Sequence, residues 1–503
     1  MTKYITILFV LTASAVFADN ETFTGDLSGK SFIGESHKNS VWDGVTAKGT
    51  EFSRYTSEYD TTYNSDYTNA SFKNADLTNA SFEGAIMNDV DFTDAIIKGA
   101  SFKNAQMNDM AILTKTKSYK EKDLSGVNLG INAFKITKIA IYDFSGFNLT
   151  GARLCANLYN PDNPYYTNPD GLFKYDDAII LGADMTKIWF QKEQLCSTKS
   201  YKDKILDGIS ISDTDLSGVD FSGVSLKNTY FGYINLENAN FSGANLSGAK
   251  FLSLNQHSSR LNVWSTKNAL FFNANLTNTD FSECVLENVD FRGANMDSIE
   301  GWPTYKNTIM SDGVIKNFQM NSVSDYLKIR KYEPMSSGNP MISAKVSETD
   351  AVVSGGSKLE LDVGAMLEVV NNRVLYIKDA GELIINTDLA GSTSLSVSGG
   401  AGLSFGEGGK LVVNLTESIT GEDAYSFAVV SWFDDSKMSG LSDFVIGENL
   451  ILTVQGENYA GAWNYIINGN SLVINLGAVP EPAMYAAIFG AVVLAFIMWR
   501  KRR

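Results

Sequence analysis

Two histidines, three cysteines and 57 acidic residues are the side chains from which catalysis or metal binding would be built in this chain of 503 residues. His37 and His257 stand in no nucleophile or metal spacing, and no GxSxG, HExxH or phosphate-loop pattern occurs. Cys155, Cys196 and Cys284 form an odd, widely spaced set that defines neither a disulfide framework nor a zinc site. Cys155 and Cys196 could pair outside the cell; Cys284 reads as core packing. The carboxylates leave one enzymatic chemistry open, glycan cleavage by a pair that converges in space rather than in sequence. Gly399-Gly400-Ala401-Gly402-Leu403-Ser404 approaches a calcium-binding nonapeptide, but Ser404 stands where Asp is needed and the pattern occurs once. The reading is therefore no catalytic residue, no cofactor and no metal.

The elements that would position any site follow a period of five. From Ala70 to Met107 every fifth residue is large and apolar: Phe72, Leu77, Phe82, Met87, Phe92, Ile97, Phe102 and Met107. Two places before each stands a small residue, such as Ala70 or Ala75. Two places after each stands Gly, Asn or Asp, which tolerate positive φ and make tight turns. Five fits neither a helix nor a flat strand. It fits a chain that runs straight, bends and repeats, with one large and one small side chain inward per side. The pattern returns in a new phase from Leu124 to Leu154. It is longest through Ile211, Leu216, Phe221, Leu226, Phe231, Leu236, Phe241, Leu246 and Phe251, and ends with Phe271 to Met296.

Segments such as Asn69-Ala70-Ser71-Phe72, Ala75-Asp76-Leu77-Thr78-Asn79 and Ala244-Asn245-Leu246-Ser247-Gly248 resemble the pentapeptide-repeat family, whose motif is A(D/N)LXX. The resemblance implies an all-β fold, a right-handed quadrilateral β-helix with four pentapeptides per coil. About 30 pentapeptides then give seven or eight coils, a rod of roughly 35 Å at strand spacing before caps and excursions are added. Its stacked Leu and Phe residues plug the interior, leaving polar outer faces and no apolar pocket.

Other segments complete the plan. Residues 1–18 read as a secretory signal peptide, and 19–66 as an irregular N-terminal cap in which His37 is a half-buried residue rather than a base. Residues 67–300 are the β-helix with helical or loop insertions. Thr116-Lys117-Ser118-Tyr119-Lys120-Glu121-Lys122 recurs as Thr198-Lys199-Ser200-Tyr201-Lys202-Asp203-Lys204, which reads as a solvated lysine-rich excursion between coils. Residues 301–345 read as a linker. Residues 346–477 read as a second β-solenoid or β-roll, because Leu359, Leu367, Leu375 and Leu383 step by eight and, after a slip of four, so do Leu395, Leu403 and Leu411.

Residues 478–503 bear on location. An apolar run from Ala483 to Trp499, followed by Arg500, Lys501, Arg502 and Arg503, reads as a short transmembrane helix with its C-terminus inside. With Val479, Pro480, Glu481 and Pro482 in front, the tail resembles the PEP-CTERM sorting signal of Gram-negative bacteria, which implies processing by an exosortase. The formal charge of −16 gives a surface that repels nucleic acid. A DNA-mimic role, known in the pentapeptide-repeat family, does not suit a secreted chain. The expectation is a non-catalytic exported surface or matrix protein, structural or adhesive, that meets an exosortase, the membrane and exopolysaccharide or other surface proteins. The alternative is a β-helix polysaccharide lyase or hydrolase.

Overall fold

The computed structural model describes residues 20–56, 62–107, 110–130, 142–154, 173–186, 191–252, 265–336, 340–388, 394–417, 425–432, 437–439, 441, 444–459, 463–468 and 470–476. Calls on the signal peptide, His257, Cys155 and the whole tail from 478 fall outside them.

Coils form as the five-residue period demands. Asp66 bridges Ile86, Ser71 bridges Asp91, Asp76 bridges Ile96 and Ser81 bridges Ser101, all in parallel and twenty residues apart. Four pentapeptides thus make one turn of the chain. In these coils each side is too short for a conventional strand, so one bridge per side joins successive coils; Ser210–Asp215 and Tyr230–Asn235 of later coils pair as longer strands. The corners turn at positive φ, as at Asn69, Asn74, Asn79 and Asp94, where the short polar side chain makes the left-handed backbone cheap.

One side forms an unbroken column: Ser31, Glu51, Ser81, Ser101, Asn128, Arg153, Asp184, Ser210, Tyr230, Lys250, Asp280 and Glu300. At strand spacing its eleven steps span about 53 Å, longer than the ladder count implies. Coils interrupted by insertions still stack, and residues 22–53 contribute coils of their own. The stretch 19–66, expected as an irregular cap, already coils from Thr22; among its described residues Thr22 bridges Val41 one residue out of step, and Tyr55–Thr56 pairs with Thr62–Tyr63 as a hairpin. Trp42 and Phe52 are fully buried within the same core as the later ladder.

The second solenoid is triangular. Its first sheet stacks Tyr326–Ile329, Lys358–Leu361, Glu382–Thr387, Lys410–Leu415 and Leu450–Val454 in parallel. The second stacks Ala344–Val346, Met366–Val369, Ser394–Val397 and Tyr425–Trp432, then reverses into an antiparallel hairpin, Ser471–Leu476 and Trp463–Asn468. The third stacks Ala351–Val353, Val374–Ile377, Gly402–Phe405 and Lys437–Ser439. The eight-residue leucine step is one side of this triangle. Leu359, Leu367 and Leu375 lie on three successive sheets, and Leu383 returns to sit in register with Leu359.

Residues 301–345, expected as a linker, are a folded junction. Thr304–Lys306 pairs with Val285–Glu287 of the first solenoid, and Ile309 bridges Asp290. Val314 then bridges Lys345 and Met320 bridges Val353 of the second. Backbone pairing among the described residues of this segment therefore reaches both coil geometries.

Candidate functional site

Among the described residues the inner ladder is closely packed, apart from one small cavity lined by Phe231, Ile234, Leu236, Phe251, Ser265 and Cys284. Phe72, Leu77, Phe82, Phe92, Phe102, Leu216, Phe221, Leu226, Phe231, Leu236, Phe241 and Leu246 are all buried. Their rings stack coil on coil: Phe52 on Phe82 at 4.7 Å, Phe82 on Phe102 at 5.4 Å, Phe221 on Phe241 at 4.9 Å and Phe241 on Phe271 at 4.8 Å. Offset stacking at such distances is favourable beyond the area it buries. The surface available for chemistry is the outside.

There the carboxylates are engaged in the turns. Where the residue before a large apolar position is Asp or Asn, its Oδ1 commonly accepts from the residue two places on. Asp76 accepts from the Thr78 amide at 3.2 Å and hydroxyl at 2.6 Å; Asp91 does so from Thr93 at 2.9 and 2.6 Å, and Asp184 from Thr186 at 3.0 and 2.6 Å. Asparagine does the same at Asn240 with Ser242 and at Asn275 with Thr277. These Asx turns explain why A(D/N)LXX favours an oxygen acceptor at its second position, although Ile86, Ile96 and Leu270 also occupy it here.

The acids also meet lysines from the neighbouring coil. Lys38 reaches Asp66 at 3.1 Å, Lys48 reaches Asp76 at 3.2 Å and Lys73 reaches Asp91 at 3.2 Å. Partial burial opposes ionisation of Asp66, Asp76 and Asp91. The turn donors and the lysines outweigh it, so each carboxyl sits below the usual range. A glycosidase acid needs the opposite shift. Asp123 and Asp325 are lowered in the same way, by lysine and turn donors that outweigh their partial burial.

His37 is buried rather than half-buried. It occupies the ladder position below Tyr67, with Nδ1 2.9 Å from Glu21 and Nε2 2.9 Å from Glu35, and its ring packs edge-on against Phe23 and Trp42. Both ring nitrogens are thus engaged in closing the first coil. Cys284 is buried, its Sγ donating to the Phe251 carbonyl at 3.2 Å. Cys196, half-buried, is a free cysteine rather than the disulfide partner considered for Cys155, which itself lies outside the described residues. No cluster of three or more potential metal ligands occurs among the described residues.

The lysine-rich words form ordered corners rather than excursions. Lys117–Lys120 and Lys199–Lys202 are single helical turns capped by Thr116 and Thr198, each hydroxyl accepting from a tyrosine amide at 3.1 Å. Buried Ser118 Oγ accepts from the Ile97 amide at 2.9 Å, and Ser200 Oγ from that of Ile180 at 2.9 Å. The serine replaces a missing coil-to-coil carbonyl. Sequence reasoning missed this role, although the repeated Thr-Lys-Ser word was its signal.

The junction carries a buried ion pair that sequence reasoning also missed. Arg292 is 1% exposed; its Nη2 lies 2.8 Å from Asp290, and its Nε donates to the same carboxylate. The guanidinium also donates to the carbonyls of Arg330 at 2.6 Å and Ile342 at 3.2 Å, and lies 5.1 Å from the centre of the Phe272 ring. One side chain thereby ties the last coils of the first solenoid to both chain segments entering the second.

Val479, Pro480, Glu481, Pro482, Arg500, Lys501, Arg502 and Arg503 lie outside the described residues. Among the described residues no helix is long and apolar enough to cross a membrane.

Fold and surface together define a β-solenoid rod with a plugged interior and a polar exterior. Its first solenoid is built of pentapeptide repeats: residues 64–109, 214–251 and 268–298 match the family model described as Pentapeptide repeats, in 8 copies. No curated protein matches the chain in sequence. Among solved structures the chain is similar to HetL, a pentapeptide repeat protein involved in heterocyst differentiation regulation from the cyanobacterium Nostoc sp. strain PCC 7120. The identity is 17%, over 59% of this chain and 92% of that one, with a TM-score of 0.16. It is similar to QnrB1, a plasmid-mediated fluoroquinolone resistance protein, at 17% identity, 56% and 92% coverage and a TM-score of 0.14. PfbA, a surface adhesin of Streptococcus pneumoniae, is 7% identical over 89% of this chain and 91% of that one, with a TM-score of 0.17.

Proposed function

We infer that the protein is a non-catalytic structural or adhesive component of the cell surface or extracellular matrix. In this reading an exosortase-type enzyme processes the exported chain at Val479 to Pro482, and the apolar tail holds it in the membrane at least until then. The filled interior carries the proposal. A solid rod has only its outer faces to work with, and these present Ser, Thr, Asn and ion-paired acids suited to hydrogen bonding with exopolysaccharide or with other surface proteins.

Incubating the purified chain with a panel of bacterial polysaccharides tests the first part. Binding without release of reducing ends or unsaturated sugars is the expected result; turnover of any glycan overturns it. Deleting 479–503 tests the second part. The truncated protein should be released to the medium or stranded in the periplasm, and unchanged surface retention would refute sorting by the tail.

A further inference from the structure

The three sheets of the second solenoid end differently. The first closes with Glu457–Asn458, two residues bearing a charge, and the third with Lys437–Ser439, also short and charged. Short strands and charges are the usual guards of a sheet edge. The second sheet ends on Trp463–Asn468, six residues without charge or proline, paired among the described residues only with Ser471–Leu476. Ile466 and Ile467 are 45% and 47% exposed. The Tyr465 hydroxyl donates to the Phe444 carbonyl at 3.1 Å, which brings exposed Val445 and Ile446 near the same edge.

Charge indicates what covers this edge. In a chain of net charge −16, residues 458–480 contain no Asp, Glu, Lys or Arg. Two copies repel each other over most of their surfaces and lack that repulsion here. The opposite end of the rod carries Glu21, Asp26 and Glu35 on its first coil, so head-to-head contact is disfavoured. A β edge is also self-complementary, because antiparallel pairing about a two-fold axis sets each N–H against a C=O of the other copy. We propose that Trp463–Asn468 pairs antiparallel with the same strand of a second copy, joining two rods end to end into one particle of twice the length.

Sedimentation of the full chain in detergent, with hydrogen exchange over a concentration series, tests this. Mass should double as concentration rises, and the amides of 463–468 should gain protection in step with it. Ile466→Lys with Ile467→Lys, which place guards on the edge and leave the apolar tail intact, should weaken association at least tenfold with an unchanged far-UV spectrum. A monomer at all concentrations, or association undiminished in the double variant, would overturn the proposal. So would protection of 463–468 that ignores concentration, since it would mean that the edge is covered by its own chain. Should the double variant misfold, the concentration dependence of exchange in the unaltered protein decides alone.

Discussion

An aspartate in this protein is a turn device before it is a charge. Asp76 binds the amide and hydroxyl of Thr78 and meets Lys48 of the coil before it. Asp76→Ala should lower stability by about 1 kcal/mol, the net worth of a hydrogen bond, whereas Asp76→Asn, which keeps the acceptor, should lose less than half of that; urea unfolding measures both. The pH dependence follows from the same geometry. Asp66, Asp76, Asp91 and Asp123 have folded values below their unfolded ones. Their contribution is therefore complete above the unfolded value near 4 and is lost as pH falls through the lower folded values. The thermal midpoint should be level with respect to these groups from pH 5 to 7 and drop below about pH 4. The sequence reading, which took these acids as surface charge, missed this role; its signal was that Asp and Asn share the motif's second place, where both supply an acceptor and only one a charge.

Coils and corners draw on different sources of stability. The coil is held by stacked rings, so Phe82→Ala should cost about 3–5 kcal/mol, read from the denaturation midpoint. The corner at Lys117–Lys120 is held by local hydrogen bonds. Ser118→Ala strands the buried amide of Ile97 and should cost about 1–3 kcal/mol for the loss of a single oxygen. The parallel substitution Ser200→Ala should behave alike, since Ser200 serves Ile180 in the same way. Coils were readable because one inward residue in five must be large, a rule that leaves a period. Corners were not, because lysines on a one-turn helix look like any solvated charge run. The buried Thr and Ser between them reveal their task only where a neighbouring coil lacks a carbonyl.

As a body, the molecule is two solenoids welded by Arg292. Arg292→Met should cost about 3–5 kcal/mol by leaving Asp290 buried without its partner. Replacing Asp290 by Leu in the same chain should recover most of that loss. A scanning calorimetry trace would show the single variant splitting toward two transitions, because the residue bridges two separate hydrophobic cores. The breaks in period at Pro303, Pro334 and Pro340 read as a linker, yet these residues lie in a segment paired to both solenoids. Irregular spacing marks a change of coil geometry as readily as it marks flexibility.

The five-residue and eight-residue periods by themselves determined that the chain coils, which side chains plug it and that its outside is polar, since a repeating fold imposes the same steric demand at every turn. The stacking of coils decided the rest. It set the number of rungs, turned the expected cap and linker into parts of the rod, and gave the lysine words and Arg292 their partners. Those contacts join residues from different coils or from the two solenoids, and no local pattern encodes a partner that only the finished stack brings within reach.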